Sequence, residues 1–364
     1  MASDMNSPSA SPSPKKRRSK TVTLRTVAEA VKLSPATISI VLNRSPVAKS
    51  IPPETQERIF KAAKELNYRP NFLARSLRSQ RTFSIGVIMP ELVSGYPMGV
   101  LSGIEEFLTD SDYFLLIASH RSRDDLFEKY VTLLQDRSVE GFILIATPID
   151  APLPLPTVSV AGHREFEGVS NVAVNHPAAI RSAMKHLVDL GHRDIAFFKG
   201  QPTSADTEVR WQAVEQAARE LDIVIRPELS PQLSAATGPT FTAQQGYEEG
   251  YAFGRQLIDT GLPFSALMAF NDISAIGAMR AFLDTGLKVP RDISVVGFDD
   301  IESAAFHNPG LTTIRQPLAD MGRMAGRTLL DHLAGKGDLE PFIHVESELI
   351  IRGTTSEARS LVPA

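Results

Sequence analysis

The sequence predicts two folded parts: a small all-α domain near the N-terminus and a larger α/β domain with parallel sheets after it. Residues 22–68 carry apolar side chains at helical spacing over three short segments. From Phe83 onward, short apolar runs alternate with helix-like stretches, which is typical of buried parallel strands joined by crossover helices. With 364 residues, 43% of them hydrophobic, the chain is long enough for two or three domains with their own cores.

Composition excludes several classes of protein. The chain has no cysteine, which excludes a disulfide framework, thiolate metal sites and cysteine nucleophiles, and which fits a reducing cytoplasm. No apolar run approaches the roughly 18 residues of a membrane span. The N-terminal charges are followed by no apolar segment of the kind that secretory signals contain. We therefore expect a cytoplasmic protein without a membrane partner.

The charges are unevenly distributed along the chain. Between Lys15 and Arg81, 16 Lys and Arg residues stand against 4 Asp and Glu residues, whereas residues 82–364 hold 22 basic and 37 acidic residues. A basic N-terminal part on an acidic remainder indicates a polyanionic partner, such as nucleic acid, that contacts only the first 80 residues. A solvated charged surface without a partner is the alternative.

Residues 1–20 are predicted to be a disordered basic tail. The first 14 residues are rich in Ser, Pro and Ala and cannot form a core. The basic residues that follow are Lys15, Lys16, Arg17, Arg18 and Lys20. This run either follows a phosphate backbone as a flexible arm or only improves solubility, and short basic runs also resemble nuclear localisation signals.

Residues 21–68 are predicted to form a helix-turn-helix domain. One helix covers residues 24–31, and a second begins after Ser34 and Pro35, a pattern of N-cap followed by proline, and ends near Asn43. A third runs from about residue 53 to 66 with apolar residues at helical spacing. Two helices joined by a turn of three or four residues in a basic segment have the helix-turn-helix layout, although any small three-helix bundle shares the periodicity.

The remainder is predicted to be two similar α/β lobes. The apolar runs are FSIGVIMP, YFLLIAS, VEGFILIA, TVSVAG, RDIAFFKG, ALMAFND and DISVVGFDD. The helix-like stretches between and around them are 99–110, 124–137, 177–190, 208–221, 246–260 and 273–285. Because ligands of open α/β sheets bind at the carboxyl ends of the strands, residues directly after these runs are candidate site residues.

At this level of detail the sequence resembles the LacI/GalR-type transcription repressors. The N-terminal blocks are VTLRTVAEAVKLSPATISIVLN and ETQERIFKAAKELNYRPNFLARSLRS, and the later ones are HLVDLGHRDIAFFKG, FNDISAIGAMRAFLDTGLKVPRDISVVGFDD, LTTIRQPLADMGRMAGRTLL and ELIIRGTT. The likeness covers roughly residues 22–357. It implies a hinge helix or linker over 69–82 and a periplasmic-binding-protein-like effector-binding and dimerisation domain over 83–358. Its N-lobe would be about 83–174 plus 315–343, and its C-lobe about 175–314 plus 344–358.

The resemblance implies which residues contact DNA. The start of the second helix would face base edges in the major groove, and a leucine of the hinge helix would enter the minor groove as a wedge. The DNA-contacting positions implied are Thr23, Ser34, Pro35, Ala36, Thr37, Ser39, Ile40 and Asn43, with Asn71, Ala74, Leu77 and Arg78 in the hinge. Many relatives carry a guanine-reading arginine at the position of Ile40, so we expect an altered sequence preference. Eight or so residues are too few for a stable isolated helix, so the order of the hinge helix would come from DNA and from the other subunit. A plain amphipathic linker is the alternative.

The resemblance also implies an effector site between the lobes. Asn271 and Asp299 directly follow apolar runs, and Arg210 lies on a predicted helix. Together these side chains would suit vicinal hydroxyls or a polar head group. The wall positions implied are Tyr96, Pro97 and Phe241. A sugar is the expected effector ahead of a purine or nucleoside, and the alternative for Asn271 and Asp299 is that each only caps a turn.

No enzyme signature occurs in the chain. The eight histidines show no HExxH or other metal-ligand spacing, and GxxxxGK[ST], GxSxG and a dinucleotide-binding GxGxxG are missing. We therefore expect no catalytic residues, cofactor or metal, and a homodimer that binds a pseudo-palindromic operator. A sugar-binding receptor without DNA binding and an effector-independent DNA-bending protein are the alternatives. The sequence leaves induction or co-repression, the operator sequence and dimer or tetramer open.

Overall fold

The computed structural model describes residues 22–42, 46–68, 81–92, 95–234 and 243–359. The chain divides into two compact units, Met1–Arg81, here called the head, and Thr82–Ala364, here called the body. Within the described ranges, no helix is both long and apolar enough to cross a membrane.

The described residues of the head contain three α-helices, of which the first two form a helix-turn-helix. Its elements are α1 (Leu24–Val31), α2 (Pro35–Leu42), a short 3₁₀ helix (Pro46–Ser50) and α3 (Pro53–Glu65). Val27, Ile38 and Ile59, one from each α-helix, are fully buried and form the centre of its core. The turn after α1 places Lys32 in the left-handed conformation with φ of 55°, which favours glycine. The all-α prediction for this part is confirmed, with helix ends within a residue or two of those expected.

The body contains two mainly parallel sheets. Among the described residues, one sheet has six strands in the order β10-β5-β4-β3-β1-β2, all parallel. The other has five described strands in the order β11-β9-β8-β7-β6, and of these pairings only β11–β9 is antiparallel. We call them the N-lobe sheet and the C-lobe sheet. The N-lobe strands are β1 (Ser84–Met89), β2 (Phe114–Ser119), β3 (Gly141–Ile145), β4 (Thr157–Val160), β5 (Val169–Val174) and β10 (Phe342–Val345). The C-lobe strands are β6 (Ile195–Phe197), β7 (Ala266–Met268), β8 (Ser294–Asp299), β9 (Thr312–Arg315) and β11 (Glu348–Ile350).

Helices follow most of these strands, as expected for a doubly wound fold. The helices of the body are α4 (Tyr96–Asp110), α5 (Asp124–Asp136), α6 (His176–Asp189), α7 (Asp206–Glu220), α8 (Ala243–Asp259), α9 (Asp272–Asp284), α10 (Glu302–Phe306) and α11 (Leu318–Leu333), with a 3₁₀ helix at Pro227–Leu229. The two-lobed α/β prediction is therefore confirmed. The sequence analysis did not predict β5, β9, β10, β11 or α11 as elements.

The described chain passes between the lobes after β5, after β9 and after β10. β10 pairs with β5 through Val345, so the last passage follows residue 345 and not the expected 343. Each passage leaves the carboxyl end of a strand in one lobe and leads to the other lobe. Parallel strands present their carboxyl ends at one edge of a sheet, so these edges of the two sheets lie beside the cleft between the lobes.

Two glycines bring α4 and α11 of the N-lobe into close backbone contact. A Cβ atom at Gly103 would lie 1.9 Å from the carbonyl oxygen of Ala319, and one at Gly322 would lie 2.1 Å from that of Val100. Real Cβ atoms do not come so close to backbone oxygens, so this helix pair requires glycine at both positions.

Candidate functional site

Arg210 lies at the centre of a buried polar cluster in the cleft between the lobes. It is 5% exposed, and its Nη2 donates to Asp206 Oδ2 at 2.9 Å while its Nη1 donates to the carbonyl of Phe270 at 2.7 Å. Its guanidinium lies 3.8 Å from the ring centre of Phe298 and 4.3 Å from that of Phe270. The charge of Arg210 is therefore neutralised within the protein, while its Nε is buried without a hydrogen-bond partner in the described chain.

Asp206 joins this arginine to two histidines. His163 Nε2 lies 2.6 Å from Asp206 Oδ1, and His176 Nε2 lies 3.2 Å from the same oxygen. Burial opposes ionisation of Asp206, but His176, His163 and Arg210 outweigh it and hold its pKa well below the usual range. Burial lowers the pKa of His176 despite the nearby carboxylate. Asp206 is thus a buried anion with cationic or hydrogen-bonding partners on both oxygens.

Asp299 ends β8 in an unusual backbone conformation. Its φ is 116° and that of Asp300 is 56°, both in the region that favours glycine. Gln316 Nε2 donates to Asp299 Oδ1 at 2.7 Å, and burial raises the pKa of Asp299 to about 7. Backbone strain in a non-glycine residue concentrates at functional sites. Asp299 can therefore accept hydrogen bonds as a carboxylate and donate one as an acid near neutral pH.

Tyr96 lies within the electrostatic field of this cluster. Its hydroxyl is buried with no hydrogen-bond partner among the described residues. Burial raises its pKa, and Asp206 and Asp299 raise it further. Tyr96 opens α4 on the N-lobe, followed by the half-buried Pro97. An unpaired buried hydroxyl is unfavourable unless a ligand completes it, so Tyr96 is available to bind one.

Asn271 has a structural use that the sequence analysis kept as an alternative. Its Oδ1 accepts from Ser274 N at 2.9 Å and its own N–H meets Ser274 Oγ, so the pair forms a capping box at the start of α9. The side-chain NH₂ is the group left for a ligand. Asn271 follows Phe270, whose carbonyl binds Arg210, so it lies beside the cluster.

The neighbouring aspartates stabilise the C-lobe. Asp272 is fully buried and accepts from Ile301 N at 2.9 Å and from Thr313 Oγ1 at 2.5 Å. Asp300 accepts from Arg315 and Arg352. Asp272 therefore joins the start of α9 to the loop after β8 and to β9, and Asp300 joins that loop to two arginine side chains, so both have structural roles.

A cavity of about 90 Å³ opens beside His163 at the carboxyl ends of the N-lobe strands. Its lining includes the polar residues Thr147, Ser159, Asn171 and Arg164 together with Pro148, Ile149 and Ala205, the last of these from the C-lobe. The cavity therefore continues the polar cluster between the lobes.

Several cluster residues were missed in the sequence: Asp206, His163, His176 and Gln316. Asp206 lies one helical turn before Arg210, at the spacing of an ion pair on a helix, and this signal was available. His163 follows β4, which was recognised as the run TVSVAG, so inspection of that strand end would have found it. His176 follows β5, which was not recognised.

The head presents the start of α2 to solvent. Ser34, Pro35 and Ala36 are exposed, Thr37 and Ile40 are half-buried, and Ser39 is only 8% exposed. Ser34 Oγ accepts from Thr37 N at 3.1 Å and shares a 2.8 Å hydrogen bond with its hydroxyl, as an N-cap does. Thr23 caps α1 in the same way.

Six of the expected contact residues lie outside the described residues. They are Asn43, Asn71, Ala74, Leu77 and Arg78 among the DNA contacts and Phe241 among the effector contacts. The expected hinge helix falls almost entirely in the same part of the chain.

This chain matches two known protein domains and several known proteins that cover most of its length. Residues 23–71 match the bacterial regulatory proteins of the lacI family, and residues 184–355 match a periplasmic binding protein-like domain. The repressor PurR of Histophilus somni (strain 129Pt) is 30% identical over 342 residues, which cover 91% of this chain and 98% of PurR. The chain belongs to the LacI family.

Two further matches agree with this assignment. The repressor CytR of Escherichia coli (strain K12) is 30% identical over 349 residues, covering 93% of this LacI-family chain and 98% of CytR. A crystal structure of the Lac repressor dimer bound to operator and the anti-inducer ONPF superimposes with a TM-score of 0.79 at 27% identity, covering 93% of this chain and all of that one.

Membership of the family confirms two of the predictions made from the sequence. The protein is a DNA-binding transcriptional repressor of the LacI family, and it is not an enzyme. The preference for a sugar as effector is not confirmed: PurR, CytR and the Lac repressor all match over nearly their full length, and these matches do not single out a sugar.

Proposed function

We propose that this LacI-family repressor is a homodimer whose affinity for a pseudo-palindromic operator is set by an uncharged small molecule bound between the lobes. The observation that carries the proposal is the buried cluster of Arg210, Asp206, Asp299 and Tyr96 at the carboxyl ends of both sheets. Its unpaired hydroxyl and its carboxyl with a pKa near 7 are costly in an otherwise stable fold, and a bound ligand would satisfy them.

The charges of the cluster favour an uncharged effector. Arg210 already pairs with Asp206 and a backbone carbonyl, so it has little remaining attraction for a phosphate or carboxylate. Asp299 adds a second carboxyl beside it. An anionic ligand would meet two acidic groups and one neutralised arginine, whereas hydroxyl, amide or ring N–H groups would find acceptors.

Two chemical classes remain as effector, sugars and purines or nucleosides. Both present uncharged hydrogen-bonding groups, and the sequence analysis preferred sugars. The chain is similar to PurR and CytR over nearly their full length, and this similarity gives no reason to prefer sugars to purines or nucleosides. We therefore leave the choice to a binding measurement.

An exposed sheet edge supports the homodimer. β2 is the edge strand of the N-lobe sheet, and its Phe114 and Ile117 are 64% and 43% exposed. Apolar side chains on an unpaired edge favour association with another surface. A second copy of this chain is the partner that a two-fold operator requires, since each subunit reads one half-site. The matching Lac repressor structure is itself a dimer on operator.

DNA binding is proposed through the start of α2 and the hinge. Ser34, Pro35 and Ala36 are the exposed residues at the start of α2, followed by Thr37 and Ile40. For the hinge, Leu77 with Asn71, Ala74 and Arg78 is proposed from the family resemblance alone. An apolar wedge in the minor groove would kink the DNA and allow further contacts.

The effector site can be tested with a ligand panel and two variants. Thermal unfolding of the full-length protein is measured with sugars, purine bases, nucleosides and their phosphate esters. We expect an uncharged compound to raise the unfolding temperature, and its phosphate ester to do so far less.

The variants locate that binding. Arg210→Met removes the guanidinium at the cluster centre and is expected to abolish the shift, whereas the exposed Arg181→Met on α6 leaves it intact. A shift produced mainly by phosphate esters, or one that survives Arg210→Met, contradicts the proposed site.

A further inference from the structure

Three side chains of the cluster have the chemistry of a metal site. We propose that His163, His176 and Asp206 bind a divalent transition-metal ion. One ligand atom from each of the three lies within 4.8 Å of the other two. Two imidazole nitrogens with one carboxylate oxygen suit Zn²⁺, Ni²⁺ and Co²⁺, whereas Mg²⁺ and Ca²⁺ prefer oxygen ligands alone.

One of the distances between ligand atoms already matches a tetrahedral site. Bonds of about 2.0–2.1 Å at tetrahedral angles separate ligand atoms by about 3.3 Å. His176 Nε2 and Asp206 Oδ1 are 3.2 Å apart and meet this requirement. The 2.6 Å from His163 Nε2 to Asp206 Oδ1 must lengthen by about 0.7 Å to reach that separation. His163 follows β4 in an irregular segment, where such a shift requires no change of helix or strand.

The surroundings of Asp206 prepare it to be a ligand. Arg210 holds Oδ2, which leaves Oδ1 directed at both imidazoles. Hydrogen-bonded carboxylates of this kind are typical around metal ions, because the outer partner fixes the ligand's orientation. Because Arg210 is paired with Asp206 through Oδ2, its positive charge is already offset where a cation would bind.

The three ligands come from both lobes, so a bound ion would affect how the lobes are arranged. His163 follows strand β4 of the N-lobe sheet, whereas Asp206 begins α7 after strand β6 of the C-lobe. An ion bound by both would hold the lobes in the arrangement of this structure. Three protein ligands also leave one tetrahedral position for water or for an oxygen or nitrogen atom of the effector.

The test uses the full-length protein after treatment with a chelator. Isothermal titration with Zn²⁺ is expected to show one ion per chain. Zn²⁺ is also expected to raise the unfolding temperature, whereas Mg²⁺ at the same concentration leaves it unchanged. Co²⁺ should give the visible absorption of a tetrahedral site. His163→Gln and His176→Gln are each expected to weaken Zn²⁺ binding at least tenfold, while His332→Gln, a half-buried histidine on α11 outside the cluster, serves as control.

Operator binding in the presence of chelator separates this site from the proposed function. If both glutamine variants still bind operator, they are folded and their loss of Zn²⁺ supports the site. The proposal is overturned if the chelated wild-type protein binds no Zn²⁺, if Mg²⁺ stabilises it equally, or if both variants keep wild-type affinity. Those results leave the effector and operator measurements unaffected.

Discussion

At the scale of single residues, the cluster contains groups that destabilise the folded protein and are available to bind a ligand. Asp299 combines a left-handed backbone, burial and a pKa near 7, and each of these is unfavourable for folding alone. Because the folded protein holds a proton on Asp299 that the unfolded chain releases near its ordinary pKa of 3.8, this group lowers stability progressively as pH rises from about 4 to about 7.

The direction of this pH dependence predicts the effect of Asp299→Asn on stability. The amide retains the oxygen that accepts from Gln316 but cannot ionise. We expect the variant to unfold at a higher temperature than wild type at pH 8, with a smaller difference at pH 5, where the wild-type carboxyl is protonated. Effector binding is expected to weaken at least tenfold.

Thermal unfolding at the two pH values checks this prediction, with Asp110→Asn, an exposed carboxylate at the end of α4, as control. If Asp299→Asn is equally destabilised at both pH values, the burial of the ionised carboxyl does not govern stability at this position.

At the scale of elements, close packing of two helices explains why glycine occupies two positions that have no proposed binding role. Gly103 and Gly322 face each other's helix backbone where α4 crosses α11. Both positions belong to the N-lobe, and α4 also begins with Tyr96 of the cluster. A shift of α4 would therefore move one wall of the proposed effector site.

Gly322→Ala tests this packing. The added Cβ would lie 2.1 Å from the carbonyl oxygen of Val100, so the helices must separate. We expect a loss of about 2–3 kcal/mol or more in the free energy of unfolding, measured with denaturant. Ser102→Ala, on the exposed side of α4, should change it by less than about 0.5 kcal/mol. A Gly322→Ala protein as stable as wild type would show that the two helices are not in close contact.

Two physical causes explain the strands that were missed in the sequence. β5 has the sequence VSNVAV, in which the buried Ser170 and Asn171 interrupt the apolar run. Asn171 is tolerated there because its Nδ2 donates to the carbonyls of Arg164 and Pro341. Such partners are distant in sequence, and local patterns do not show them. The strands β9 to β11 are short, and β10 and β11 are only partly buried.

At the scale of the whole molecule, the division into a basic head and an acidic body was predictable from charge and periodicity. The candidate site was predictable in part: the family resemblance pointed to Arg210, Asp299 and Tyr96, which the structure brings together. The resemblance did not point to His163 or His176, and their contact with Asp206, 43 and 30 residues away, is visible only in the fold.

The central claim is that a ligand in the body changes the affinity of the head for operator. The most direct measurement is fluorescence anisotropy of the full-length protein on an operator selected from random duplexes, with and without the effector found in the panel. Typical coupling of about 1–3 kcal/mol predicts a 5- to 150-fold change in operator affinity, in one direction, that Arg210→Met removes. Saturating effector that binds the body and leaves operator affinity unchanged would contradict the account.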